Sequence, residues 1–316
     1  MDTESVLVGS SVVVRSASEI LSTLDDNGTL DGLPFMPEML SWCGKSFRVQ
    51  RRVYKTCVDG DAIRFFPAND VIVLEGPRCD GSSHGGCKHG CRIYWKEAWL
   101  RPVDGEVAIV EPAKADLDTL RANLKVKSDE QRYFCQSTEL QKSSKGFPPG
   151  ERFRRARMVL REIRGSDLGI LRISQLLVTF LWQKALRAMG CDEWLRGPHK
   201  RTPTQSLNLR PGELVRVKSR AQIVQTLDHR MSNRGMGVCY EMLRCCGREA
   251  EVRWRVDRLI DEKTGVMREI TDTVTLSSMR GCGSLGEECL CYGEPGDCPR
   301  GELMYWREIW LERVNS

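Results

Sequence analysis

The chain has 316 residues, 41% hydrophobic and 29% charged, which is long enough for more than one core and too apolar for a disordered protein. Its net charge of +5 is small for that length, and the charges of both signs are interspersed, so composition lends little support to a nucleic-acid partner. No apolar run is long enough to span a bilayer, and residues 1–10 lack the basic start and apolar core of a secretory signal. The 14 cysteines therefore read as those of a cytoplasmic protein, where clustered thiols stay reduced and serve better as metal ligands than as disulfides.

The first element is a β-branched run, 12–14, followed by a short helix that Ser16 caps with Glu19 three residues on. A turn at 26–28 leads to Glu38-Met39-Leu40 and to the pair Cys43-Gly44, read as a core thiol and a turn glycine. Strands follow at 47–53 and 71–74, then a cysteine-rich loop, then a strand at 93–100. The whole pattern recurs. A shift of 203 residues aligns 12–53 with 215–256 without a gap and pairs Ser16/Ser219, Thr23/Thr226, Asp25/Asp228, Glu38/Glu241, Met39/Met242 and Cys43/Cys246. A shift of 211 pairs Tyr94/Tyr305, Trp95/Trp306, Glu97/Glu308, Trp99/Trp310 and Leu100/Leu311. The difference of eight residues (211 − 203) falls inside the second cysteine loop. Such ordered identities among uncommon residues point to tandem duplication.

The expected fold class is α+β, with two homologous small β-barrel-like, SH3-like repeats at 10–105 and 212–315 joined by a helical segment at 112–205. Within that segment, 112–150 is polar and linker-like. Residues 152–164 read as an arginine-rich helix and 167–189 as an apolar one. The second helix suits packing between the barrels or, given the arginines before it, a membrane interface.

Chemistry concentrates in the loops. Cys79-x4-His84-x2-Cys87-x3-Cys91, with His89 inside it, offers thiolates and imidazole at a range that tetrahedral zinc accepts, and its glycines permit the turns. Cys57 and Cys135 are additional candidates that would complete a four-cysteine site, which keeps an iron–sulfur cluster open beside zinc. The second loop carries Cys282, Cys289, Cys291 and Cys298. Cys282 and Cys298 align with Cys79 and Cys87, but Cys91 aligns with Glu302 and His84 has no counterpart, so its ligand set is rebuilt or lost. Trp95-x-Glu97-x-Trp99, placed on one strand, would hold a carboxylate between two indoles. That makes Glu97, with His84, a candidate proton-transfer group, unless Arg52 pairs with it. Phosphate-cradling loops, nucleophile elbows and zinc-protease helices are all missing from the sequence.

The stretches 32–40, 43–45, 47–49, 74–76, 78–81 and 84–87, Cys91 and 95–100, followed by Cys135-Gln136 with Thr138-Glu139-Leu140, 211–218, 260–265, 298–300 and 306–314, resemble an uncharacterised bacterial family of duplicated cysteine-rich proteins. The likeness spans nearly the whole chain and departs from the family pattern at 235–240 and 287–296. It implies an accessory protein encoded near polysaccharide or natural-product biosynthesis genes, with no reaction to carry over. The function expected is thus an accessory metal-binding module with a protein partner. A metalloenzyme with its metal at the first loop is one alternative. The other is a nucleic-acid-binding protein acting through the arginine-rich helix.

Overall fold

The computed structural model describes residues 6–58, 64–103, 112–146, 196–238, 240–277 and 300–314, with Ser174, Val178, Leu181, Trp182 and Ala185. The chain forms two compact units, Met1–Gly169 with Ile260–Arg268, and Ile170–Leu259 with Glu269–Ser316. The described residues are mixed α+β, mostly strands with few and short helices. The second cysteine loop and nearly all of 147–195 lie outside the described residues, and so do Cys282, Cys289, Cys291 and Cys298. The five isolated residues, all from the second expected helix, are helical and exposed.

In unit 1 the strands run in chain order: β1 (Ser11–Val14), the β2–β3 hairpin (Thr29–Leu30, Leu33–Pro34), β4 (Ser46–Arg52), β5 (Arg64–Phe65), β6 (Val71–Arg78), β7 (Arg92–Lys96) and β8 (Leu100–Pro102). Five of them make one antiparallel sheet in the order β7-β6-β4-β1-β8. Its two edge strands, β7 and β8, are consecutive in sequence and separated by a single 3-10 turn at Glu97–Trp99, so the sheet curls on itself. A register shift between Val49 and Arg51 on β4 adds local twist at the same sheet.

Unit 2 repeats this order. Strands β9 (Leu214–Val217), β10 (Glu249–Arg255), β11 (Thr273–Leu276), β12 (Tyr305–Arg307) and β13 (Leu311–Arg313) form the sheet β12-β11-β10-β9-β13. Registers agree at equivalent positions: Val12 faces Phe47 as Val215 faces Ala250, and Val14 faces Leu100 as Val217 faces Leu311. The register shift recurs between Val252 and Trp254.

The local signals explain the elements. Helix α1 (Ala17–Leu21) opens with the expected capping box between Ser16 and Glu19, and its counterpart Arg220–Val224 opens with one between Ser219 and Gln222. Asp25 then ties the following turn by accepting from the Asn27 and Thr29 amides and the Thr29 hydroxyl. Asp228 does the same with Arg230 and Ser232. Trp95, Trp99, Trp306 and Trp310 are the largest fully buried side chains. The indole N–H of Trp99 donates to the Thr23 hydroxyl at 3.0 Å, and that of Trp310 to the Thr226 hydroxyl at 2.9 Å. Cys43 is buried before Gly44, whose φ of 74° needs glycine, in line with a core thiol and turn.

Residues 114–146 pack within unit 1. Helix α2 (Lys114–Ala122) lies on α1, and α3 (Gln136–Ser143) lies on β3. Gln136 is buried, accepts from the Tyr94 amide at 2.9 Å and donates to the Tyr94 and Pro34 carbonyls. Its side-chain amide thus satisfies the outer groups of edge strand β7, where an unpaired backbone would otherwise be exposed.

Candidate metal centre

The loop 79–91 joins β6 to β7. The Cys79 amide donates to the Cys91 carbonyl at 2.9 Å and closes its neck. Inside, the Gly81 carbonyl accepts from both His84 and Gly86 at 2.9 Å. Two glycines are required by close approach. A Cβ on Gly81 would lie 2.1 Å from the Cys87 carbonyl oxygen, and one on Gly85 would lie 2.3 Å from the Tyr133 hydroxyl.

His84 is 1% exposed. Its Nδ1 lies 2.6 Å from Glu38 Oε1, and its Nε2 lies 3.1 Å from the Phe134 carbonyl. The Ser83 amide also donates to Glu38 Oε1, at 3.0 Å. Glu38 comes from a 3-10 turn at Pro37–Trp42, and its other oxygen, Oε2, is buried with no hydrogen-bond partner. Ligand atoms of Glu38, Cys79 and His84 all lie within 4.8 Å of one another. This buried group could hold a metal ion, and a buried carboxylate oxygen without a donor is costly unless a cation meets it.

Three further thiols border the group. Cys87 Sγ accepts from the Ile260 amide at 3.4 Å. Cys91 Sγ lies 3.3 Å from the Ser137 hydroxyl, and Cys135 is the N-cap of α3. Burial pushes the Cys79 thiol far up, and the Glu38 carboxylate, then Cys91 and Cys135, push the same way. Burial likewise raises Cys87, and it lifts Cys135 to about 12. Ionising these thiols requires a nearby positive charge, which a bound cation supplies as it displaces their protons.

The residues 260–268 complete unit 1 on this side. Besides the Ile260 contact, Glu262 lies 3.7 Å from His89, and the Gly265 carbonyl accepts from the Tyr133 amide at 2.8 Å. Val266 pairs with Arg132.

Of the residues singled out in sequence, Cys79 and His84 come together with Glu38, whereas Cys87, Cys91 and Cys135 are not members of that group. Cys57, half-buried after β4, is not in the Glu38–Cys79–His84 group. Glu97 does not lie between two indoles on a strand. The strand ends at Lys96, because the Glu97 amide bonds the Asp70 carbonyl and a 3-10 turn begins. Its carboxylate instead accepts from Arg52 and from the Val6 amide. Glu308 is held likewise, by Arg255 at 2.6 Å and by the amides of Leu207, Asn208 and Leu209. Both carboxylates thus clamp the chain entering a sheet, which explains why they recur.

Glu38 was missed as a partner of the loop. Its identity with Glu241 marks a repeated position but gives no sign of a histidine 46 residues later in sequence. Comparison with protein-family models, with curated proteins and with solved structures gives no match, so the site is read from its own geometry.

Proposed function

We propose that this chain is an accessory metal-binding protein whose first unit holds a single zinc ion, and whose two SH3-like repeats, products of tandem duplication, serve as a frame for a protein partner. The observation that carries the metal is the buried Glu38–Cys79–His84 group with its unpartnered carboxylate oxygen. Cys43, Cys79, Cys87, Cys135 and Cys246 are free thiols, which suits thiolate ligation in a reducing, cytoplasmic setting. Among the described residues no helix is long and apolar enough to cross a membrane. The SH3-like reading rests on the strand order, with β4 central and a 3-10 turn joining the two edge strands, as in a small curled barrel. Zinc is favoured over an iron–sulfur cluster because one carboxylate and one imidazole accompany the thiols.

Elemental analysis of freshly purified protein with a visible spectrum is the test. The expected result is a colourless protein with about one zinc per chain, largely lost in Cys79→Ala. A brown protein containing iron and sulfide, or a protein that takes up no metal, would overturn the reading.

A further inference from the structure

Exposed apolar side chains are not scattered over this chain. Among the described residues the large hydrophobic side chains that face solvent are Leu7, Val178, Leu181 and Trp182, and three of these four fall within five positions. Val178 is 66% exposed, Leu181 60% and Trp182 63%. Ser174 and Ala185 are helical and exposed as well. The positions 174, 178, 181, 182 and 185 follow the three-and-four spacing of one helix face, so all five share a single stripe. A helix that packs on a core turns its apolar stripe inward. This stripe faces water, and a run of apolar surface on one face marks a place where something docks.

The charge of the surrounding sequence selects the occupant. Residues 168–191 contain Arg172, Lys184 and Arg187 and no aspartate or glutamate. From 152 to 189 the sequence has nine lysines and arginines against two acidic residues, a surplus of seven. The whole chain carries only +5, so the remainder is net acidic and the positive excess is concentrated in this one stretch. By helical spacing Arg172, Gln175, Thr179, Gln183 and Arg187 form a polar line in the sequence, separate from the apolar one.

An anionic lipid surface offers an apolar phase and negative charge together. A nucleic acid offers the charge without the apolar phase. An apolar groove on another protein offers the phase without calling for the basic excess. Tryptophan also suits the lipid boundary, since its ring is apolar and its N–H stays near water. Among the described residues no helix is long and apolar enough to cross a membrane, so the stripe fits an orientation in the plane of the surface.

We propose that the stripe of Ser174, Val178, Leu181, Trp182 and Ala185 docks on an anionic membrane surface. Val178, Leu181 and Trp182 enter the boundary between headgroups and acyl chains, and the basic excess of 152–189 supplies the attraction to the headgroups. The docking is independent of whether the first unit holds zinc.

The experiment sediments the full chain with vesicles of phosphatidylcholine mixed with phosphatidylserine, and with vesicles of phosphatidylcholine alone. Binding is expected on the mixed vesicles, weakening as salt rises above about 0.15 M, and is expected to be far weaker on phosphatidylcholine alone. Leu181→Ser combined with Trp182→Ser should weaken binding about 10- to 100-fold. Its urea unfolding should match that of the wild type, because both side chains are exposed. Trp182→Phe should bind as the wild type does, but should lack the blue shift of tryptophan emission that the wild type shows on the mixed vesicles. That second variant reads the docking face without disturbing the fold. Absence of binding to the mixed vesicles, equal binding to both kinds, full binding by the double variant, or an emission shift that survives Trp182→Phe would overturn the proposal. Self-association abolished by the double variant, without vesicle binding, would overturn it in favour of a second copy of the chain. Retention of single-stranded RNA without vesicle binding would overturn it in favour of nucleic acid.

Discussion

The two curled sheets share a frame and differ in what the frame carries. Thr23 with Trp99, Asp25 with its turn, and Arg52 with Glu97 in one half match Thr226 with Trp310, Asp228 with its turn, and Arg255 with Glu308 in the other. Even the clamped residue corresponds, because Val6 and Leu209 are separated by the same 203 positions as the rest of the repeat. The divergences lie beside this frame. Lys96 is flanked by Asp31 and Asp70, whereas its counterpart Arg307 sits by Arg234 and Asp272. Burial, and then the Arg234 charge, hold the Arg307 guanidinium down to about 10. The Glu38–His84–Cys79 group depends on pieces that the frame does not supply: the Phe134 carbonyl, and around it α3 and residues 260–268. Within the group, Glu38 and Cys79 have the counterparts Glu241 and Cys282, whereas His84 has none.

The carboxylate clamps give the largest expected contrast. Glu308 is fully buried and satisfies three backbone amides and Arg255, whereas the Glu97 side chain is 26% exposed and takes one amide and Arg52. Glu308→Ala should destabilise unit 2 by about 3 kcal/mol, since it leaves several buried donors unmatched. Glu97→Ala should cost unit 1 only about 1 kcal/mol. Urea titration followed by hydrogen exchange, which resolves the two units, checks this. Equal losses would mean that the deeper burial of Glu308 has no energetic consequence.

A smaller effect should be the same in both halves. Thr23→Val and Thr226→Val each leave a buried indole N–H without its acceptor, and each should cost about 1–2 kcal/mol in its own unit. A clear inequality between them would show that the shared frame is not energetically shared.

The smallest effect is a pH dependence. Burial alone would raise the Asp25 and Asp228 carboxyls, but hydrogen bonds from Thr29 and from Ser232 outweigh it and hold both below the ordinary aspartate value. A carboxyl lowered by folding contributes stability above its unfolded pKa of about 4, and loses it as pH falls through the lower folded value. Both units should therefore weaken together on acidification below about pH 4. Asp25→Asn should flatten that slope in unit 1 alone.

What the sequence made legible was local. Capping boxes need only a serine and a glutamate or glutamine at a fixed spacing, and both formed. The core thiol at Cys43 and its glycine were equally readable. The alternation Trp95, Glu97, Trp99 misled, because a two-residue period describes a continuous strand and this strand stops at Lys96. The candidate metal centre was half legible. Cys79, His84, Cys87 and Cys91 announce themselves by spacing, but Glu38 and the capping position of Cys135 depend on tertiary packing that no short window contains. Nor does any local pattern show that residues 260–268 meet Cys87 and Tyr133.

The central claim is that the metal belongs to the first half, and zinc content per chain in two variants tests it most directly. Deleting residues 286–293 shortens the second cysteine loop and removes Cys289 and Cys291, whereas Cys79→Ala removes one thiolate from the first. The deletion should leave about one zinc per chain, because shortening a loop changes its closure entropy little. Cys79→Ala should leave almost none. Equal loss of zinc in the two variants, or loss in the deletion alone, would contradict the account.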